Sequence, residues 1–282
     1  MSESSNEIVS VFSNITLGDD GIWKSKDDHS VSYPKEGSEM CFEVENSSYW
    51  FRHRNECLTA LMKRLPPPKG SLFCDVGGGN GFVSMAVQAA GFPVVLLEPS
   101  PVGAYNAKMR GVRNVVCATT DGSGLRNGSL GAVGAFDVIE HIENDEIFVK
   151  GLADALNKGG MFYATVPAWQ SLWSEEDEWA GHFRRYRLPG FNALFEKAGL
   201  EILYSSYIFS MLPVPIWALR TLPNLFGVKR KQDPRQMVKD HGSGSAITRN
   251  LMGASLRPEI AMVRKLHKIP FGSSCFVACR KG

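Results

Sequence analysis

The chain has little net charge. Its 31 basic and 29 acidic residues leave a formal +2 over 282 residues, so no global field advertises a nucleic-acid partner. The six cysteines, at positions 41, 57, 74, 117, 275 and 279, form neither a C-x-x-C pair nor a zinc spacing. Cys74 and Cys117 fall in apolar runs that read as buried strands, where thiols behave as small hydrophobes. Cys275 and Cys279 lie along one strand, too far apart to bridge. The opening Met1-Ser2-Glu3-Ser4-Ser5-Asn6-Glu7 lacks a basic region followed by an apolar run. A reduced, cytoplasmic protein is the expectation. Internal repeats and low-complexity tracts are also missing. The uncharged run at 202–219 touches the roughly 17–25 apolar residues of a membrane span. Two prolines, several hydroxyls and a strand-like first half argue against one, leaving interfacial membrane contact as the minor reading.

The informative stretch is Leu72-Phe73-Cys74-Asp75-Val76-Gly77-Gly78-Gly79-Asn80-Gly81-Phe82. It reads as a buried strand broken by glycines, which permit a tight turn and close approach of backbone to ligand. From 82 to 90 the apolar spacing becomes helical, Gly91-Phe92-Pro93 punctuates, and 94–97 is a second buried strand with Glu98 and Pro99 behind it. Strand, glycine turn, helix, strand and acid form the Rossmann nucleotide grammar. That grammar alone leaves open a nicotinamide dinucleotide, S-adenosylmethionine, or a glycine turn with no ligand. Two details favour S-adenosylmethionine. The glycines run G-x-G-x-G, since position 82 is Phe, and Asp75 would repel a pyrophosphate but suit a cationic amino group.

Asp75, Gly77, Gly79 and Gly81 match, position by position, the D-x-G-x-G-x-G motif of class I S-adenosylmethionine-dependent methyltransferases, which the chain resembles from about residue 47 to its end. The resemblance implies an α/β fold: a Rossmann-like, doubly wound sheet of seven strands, mostly parallel, with the last strand antiparallel beside the sixth. It divides the chain into an N-terminal cap, 1–46, read as polar and irregular, and a methyltransferase domain, 47–282, with an inserted lid at about 211–255. Asp75, Gly77, Gly79, Asn80 and Gly81 would hold the methionine part, Glu98 and Pro99 the ribose side, and Asp121 the adenine. Asp121 before Gly122 is equally an ordinary turn. Arg54, in the helix after Tyr49-Trp50-Phe51, would pair with the cofactor carboxylate, as a matching arginine does in ubiquinone-pathway O-methyltransferases; arginine suits that fork geometry. Phe136 and Asp137 close the cofactor side at the end of the fourth strand. That strand opens with Gly131 where the family often has Asp.

Two stretches bear on the methyl acceptor. In Asp137-Val138-Ile139-Glu140-His141 the Glu-His pair admits three readings: a general base at His141, a divalent metal, or a loop that only shapes the sulfonium site. No metal is among the expected cofactors. The run 168–186, ending His182-Phe183-Arg184-Arg185-Tyr186, resembles a bacterial subgroup of type 11, 12 or 23 methyltransferases. His182 reads as a second base, with Trp50, Trp169, Arg184, Arg185 and Tyr186 lining an acceptor pocket; arginines paired to the acids at 175–178 are the structural alternative. The expected partner is a small-molecule acceptor, methylated on oxygen. Two rival functions stand beside this one. A nicotinamide-dependent oxidoreductase would need a Tyr-x-x-x-Lys pair, but Tyr163 is followed at 167 by Pro. A cofactor-binding partner subunit without turnover would keep the same fold.

Overall fold

Apolar runs at 73–76 and 94–97 are buried at every position, as strands covered by helices on both faces must be. They become two central strands of one nine-stranded sheet. The structure is a computed structural model that describes residues 3–26, 42, 45, 48–222 and 246–282. The turn signals at 32–35 and the charged run at 229–245 lie outside the described residues.

In chain order the strands are β1 (Ile15–Leu17), β2 (Trp23–Ser25), β3 (Phe73–Val76), β4 (Val94–Leu97) and β5 (Asn114–Cys117). Then come β6 (Leu130–Phe136), β7 (Leu156–Pro167), β8 (Leu200–Ile208) and β9 (Ser274–Lys281). Across the sheet they run β1-β2-β5-β4-β3-β6-β7-β9-β8. Strand β3 is parallel to both β4 and β6. The chain therefore winds away from β3 on one side and returns on the other, which opens a crevice at the carboxyl end of β3. Strand β9 inserts antiparallel between β7 and β8, as the resemblance implies.

Strands β3 to β9 are the seven expected from sequence. The other two correct the irregular reading of the N-terminus. Residues 3–26 form helix α1 (Glu3–Val11) and the β1–β2 hairpin, and β2 pairs parallel with β5. Ile8, Val11, Phe12, Ile15 and Trp23 join the main core, so burial of these few side chains, rather than strand length, orders the segment.

The helices that matter here are α2 (Tyr49–Arg64), α3 (Phe82–Ala89), α4 (Pro101–Arg110) and α5 (Asp145–Ala155). Beyond β7 lie α6 (Glu175–Ala180), α7 (Leu188–Lys197), the short α8 (Pro213–Ile216) continuing into a π-turn at Trp217–Thr221, and α9 (Ala246–Arg264). Of the expected lid, α8, the π-turn and the first half of α9 fall within the described residues. Helix α9 begins ten positions earlier than the apolar spacing from 256 suggests and packs on α2. Buried Glu259 of α9 accepts hydrogen bonds from the Phe209 and Ser210 amides at 2.8 and 2.7 Å and contacts His53 Nε2 at 3.0 Å. Burial alone would raise the Glu259 carboxyl, but bonds from His53 and Ser210 outweigh it and hold it low. No helix among the described residues is long and apolar enough to cross a membrane, and the five described cysteines are free thiols.

Candidate active site

The glycine turn sits in the crevice at the end of β3. Gly81 has φ +80°, and a Cβ there would meet the Val112 and Ala107 side chains at 2.7 and 2.9 Å. Its bare Cα lets α3 start against α4. Gly79 has φ +53°, yet a Cβ there would meet nothing within 4 Å. The turn is thus packed on one side and open at Gly79, as a cradle for a ligand must be.

Two buried carboxylates frame the opening. Asp75 accepts a 2.7 Å bond from the Ser84 hydroxyl on α3. Glu98 accepts from the Gly79 amide at 2.8 Å through Oε2 and from the Ser100 amide at 2.8 Å through Oε1. Each carboxylate oxygen has two lone pairs, so hydroxyl donors still find acceptors on Glu98. Burial pushes Glu98 up to about 7 against the pull of the Ser100 and Gly79 amides. Burial likewise lifts Asp75 to about 6 against the Ser84 bond. Both groups are short of positive or donor partners, a deficit that an ammonium and a ribose diol would fill. Asn80, buried at the turn, accepts from the Asn106 side chain at 3.0 Å and donates to Glu45. Half-buried Pro99 follows Glu98, and its carbonyl accepts from the Cys117 thiol. Asp121 is exposed in the turn after β5.

Helix α2 brings Arg54 to the same rim. Its Nη1 donates to Asp137 Oδ2 at 2.5 Å, and its guanidinium lies 4.9 Å over the Trp50 ring. The two residues expected separately around the cofactor therefore bind each other. Arg54 Nε is buried without a hydrogen-bond partner among the described residues, an orphaned donor suited to a carboxylate. Phe136 is buried at the end of β6. Trp50 stacks on Phe209, centroids 5.3 Å apart.

Asp137, Trp169 and Phe209 have φ +58°, +63° and +61°. They stand just past the ends of β6, β7 and β8. Non-glycine residues in this region are uncommon, and such strain gathers at functional rims.

Beyond Asp137, a short 3-10 turn (Ile139–His141) meets the loop that follows β7. The Phe183 amide donates to the Glu140 carbonyl at 2.8 Å, and the His141 and His182 rings meet edge to face with centroids 4.6 Å apart. The Glu140 carboxylate is completely buried and neither oxygen has a hydrogen-bond partner among the described residues. Burial, with Asp137 adding, drives that carboxyl well above its ordinary range. Burial and then the neighbouring His182 push His141 down to about 4.

His182 Nδ1 lies 2.9 Å from Asp177 Oδ1. Asp177 is buried on α6, where it closes a capping box with Ser174. It also receives Arg185 through Nε at 2.7 Å and Nη2 at 2.9 Å. Burial alone would raise Asp177, but His182 and Arg185 together hold it low. Arg184 pairs with Asp145 at 2.7 Å, and the Tyr186 hydroxyl donates to the same carboxylate at 2.7 Å. Trp169 Nε1 donates to the Gly272 carbonyl, and its ring stacks on Tyr207. Arg184, Arg185 and Tyr186 thus have partners within the protein, Arg185 on one of the acids at 175–178. The sequence offers Asp177 only as one of the acids at 175–178 that could pair with an arginine, and it gives Ser84 no role. The Ser174-x-x-Asp177 spacing is a readable helix-start signal, whereas nothing local ties Ser84 to Asp75.

Comparison with known proteins bears on the fold and the family. A family model described as "Methyltransferase domain" matches residues 50–205, more than half of the chain. No curated protein matches in sequence. Among solved structures, a chain of a Haloferax volcanii complex that contains the Trm112 methyltransferase activator aligns at 17% identity, TM-score 0.58, over 89% of this chain and 99% of that one. Haemonchus contortus phosphoethanolamine N-methyltransferase 2, with phosphomonomethylethanolamine and S-adenosylhomocysteine, aligns at 17% identity and TM-score 0.55, over 89% of this chain but 58% of that one. The [4+2]-cyclase SpnF aligns at 14% identity and TM-score 0.53, over 90% and 99%. The fold by itself therefore hosts more than one chemistry, and the family match decides: the chain belongs to the methyltransferase-domain family, and with it to the class I S-adenosylmethionine-dependent methyltransferases.

Proposed function

We propose that this enzyme methylates a hydroxyl oxygen of a small-molecule acceptor held between the end of β6 and the loop at 168–186. The observation that carries the reading is the hydrogen-bonded pair of His182 and Asp177 beside His141, in the turn that follows the end of β6. S-adenosylmethionine, when bound, supplies an electrophilic methyl group on a cationic sulfur. The open glycine turn, Asp75 and Glu98 fit its amino acid and ribose, and Arg54 its carboxylate, through the guanidinium's orphaned donor. Asp121, in the turn after β5, is assigned to the adenine.

On the acceptor side, Asp177 accepts a hydrogen bond from the Nδ1–H of His182, which leaves the lone pair on Nε2, the form that binds a hydroxyl. As the new C–O bond forms and the C–S bond breaks, the hydroxyl proton leaves towards this cluster. Most of the remaining rate comes from alignment and exclusion of water. Trp50 and Trp169 supply apolar walls for the acceptor, and Arg184, Arg185 and Tyr186 hold the loop that lines it. Calorimetric titration with S-adenosylhomocysteine, with nicotinamide cofactors as controls, tests the donor half: binding of the nucleoside alone is expected, lost in Asp75→Ala. Transfer of labelled methyl to a panel of hydroxylated acceptors tests the other half; N-methylation alone would overturn the choice of oxygen.

A further inference from the structure

We propose that the cleft between α2 and α9 is a binding site for a phosphate group, held by Arg52 and Arg257. The cleft encloses about 180 Å3, with Tyr49, Arg52, His53 and Glu56 of α2 on one wall and Gly253 and Arg257 of α9 on the other. Sites for whole small molecules begin at roughly 300 Å3, so this one takes a charged group and not a nucleoside. The wall at Gly253 is open: a Cβ there would meet nothing within 4 Å. The two arginines carry the argument. Arg54, Arg110, Arg184 and Arg185 each have a carboxylate oxygen at 2.5–2.7 Å, whereas Arg52 and Arg257 have none within 4.0 Å among the described residues. Two like charges on one cleft repel each other. A dianion whose oxygens match the guanidinium fork relieves that repulsion.

The acids nearby leave the arginines unanswered. Glu259, behind the His53 wall, is saturated. It takes His53 Nε2, the Phe209 and Ser210 amides and the Ser210 hydroxyl at 2.5–3.0 Å, which fills the four lone-pair positions of a carboxylate. Glu56 is the acid on the cleft wall itself. It stands four residues after Arg52, the weaker order for a helical ion pair, and meets no basic nitrogen within 4.0 Å among the described residues. Its charge works against an anion, which gives the proposal a test with a sign. The first turn of α2 adds no acidic residue, and the helix dipole favours negative charge there. Arg52 and Arg54, two positions apart on one helix, serve different places: Arg54 reaches Asp137 at the cofactor crevice, and Arg52 lines the cleft. On the cleft wall the His53 ring meets that of Phe209, which stacks on Trp50, so the cleft lies behind the proposed acceptor wall. The phosphate belongs either to the free ion or to a phosphate ester, and its binding does not rest on the methyl-transfer reading.

The test is calorimetric titration of the full-length protein with inorganic phosphate and, separately, with methyl phosphate, alongside titration with S-adenosylhomocysteine. Binding of one equivalent is expected, with affinity that falls as salt rises. Tighter binding of the ester marks a phosphate ester as the ligand; equal binding marks the free ion. Arg52→Gln and Arg257→Gln should each weaken binding by about tenfold or more. Glu56→Gln should tighten it, and nucleoside affinity should be unchanged in all three. These side chains are exposed, so the variants are expected to fold and to melt with the wild type. No saturable binding of either anion at millimolar concentrations overturns the proposal. So does an affinity that neither arginine variant changes, the mark of an adventitious ion only. Failure of the nucleoside to bind the wild type would instead overturn the methyl-transfer reading, leaving the phosphate result to stand separately.

Discussion

Glu98 does two things at once. It ties the glycine turn to the end of β4 through the Gly79 and Ser100 amides, and it takes the ribose in the proposed reading of the site. Its carboxyl is lifted from 4.5 to about 7 and that of Asp75 from 3.8 to about 6, in both cases by burial. A raised folded pKa means the protonated form suits the fold. The contribution of these groups to stability is full below about 4 and is lost as pH rises through about 6 to 7. On the proposed assignment of Glu98 to the ribose and Asp75 to the amino group, cofactor binding has the opposite sign, because hydroxyl and ammonium donors need the ionised carboxylates. Affinity for S-adenosylhomocysteine is therefore expected to climb through the same window, by up to about tenfold per pH unit below the governing pKa. Calorimetry across pH checks this, and Glu98→Gln should remove the upper inflection; a flat profile in the wild type would contradict it. These residues were legible in the sequence because motif, turn and second strand are contiguous, so local spacing already fixes their juxtaposition. The Arg54–Asp137 bond was not legible, since 83 positions separate the two and each made sense alone beside a ligand.

The loop between β7 and α7 behaves as an element in its own right, with Asp177 as its internal anchor. That carboxylate gathers Ser174, His182 and Arg185, so Asp177→Asn leaves a guanidinium and an imidazole without their charge partner. Breaking a buried pair by removing one member costs about 3–5 kcal/mol. Lower thermal stability and faster proteolysis within 168–186 are expected, with S-adenosylhomocysteine affinity kept, since no cofactor-side group is touched. Equal melting of variant and wild type would show that the anchor is not needed. The sequence announces this loop by its aromatics and charges but not its inner wiring. Which arginine meets which acid depends on where α5 brings Asp145, and the meeting of His141 with His182 depends on the adjacency of β6 and β7. The β1 and β2 strands were hidden for a different reason: three residues each is too short for an alternating pattern to rise above its polar neighbours.

For the molecule as a whole, the N-terminal hairpin is part of the core. Removing residues 1–26 deletes the buried Ile8, Val11, Phe12, Ile15 and Trp23 and uncovers the core that they pack against, Val116 of β5 included. At about 1.5–3 kcal/mol for each large apolar side chain, the loss rivals the whole stability margin of about 5–15 kcal/mol. The truncated chain is expected to be insoluble or to melt without a cooperative transition. Calorimetric melting close to that of the full chain would make the hairpin an appendage. The three left-handed residues at the ends of β6, β7 and β8 carry a different consequence. Their amides are all engaged: Asp137 donates to the Thr165 carbonyl at 2.9 Å, Trp169 to that of Tyr186 at 2.8 Å, and Phe209 to Glu259 at 2.8 Å. Their side chains are committed as well, to Arg54, to Gly272 and Tyr207, and to Trp50. Relaxing any one backbone would undo contacts with two other elements. The strand ends are thus the fixed jaw of the enzyme, against which any closing segment must work, and turnover has no hinge there.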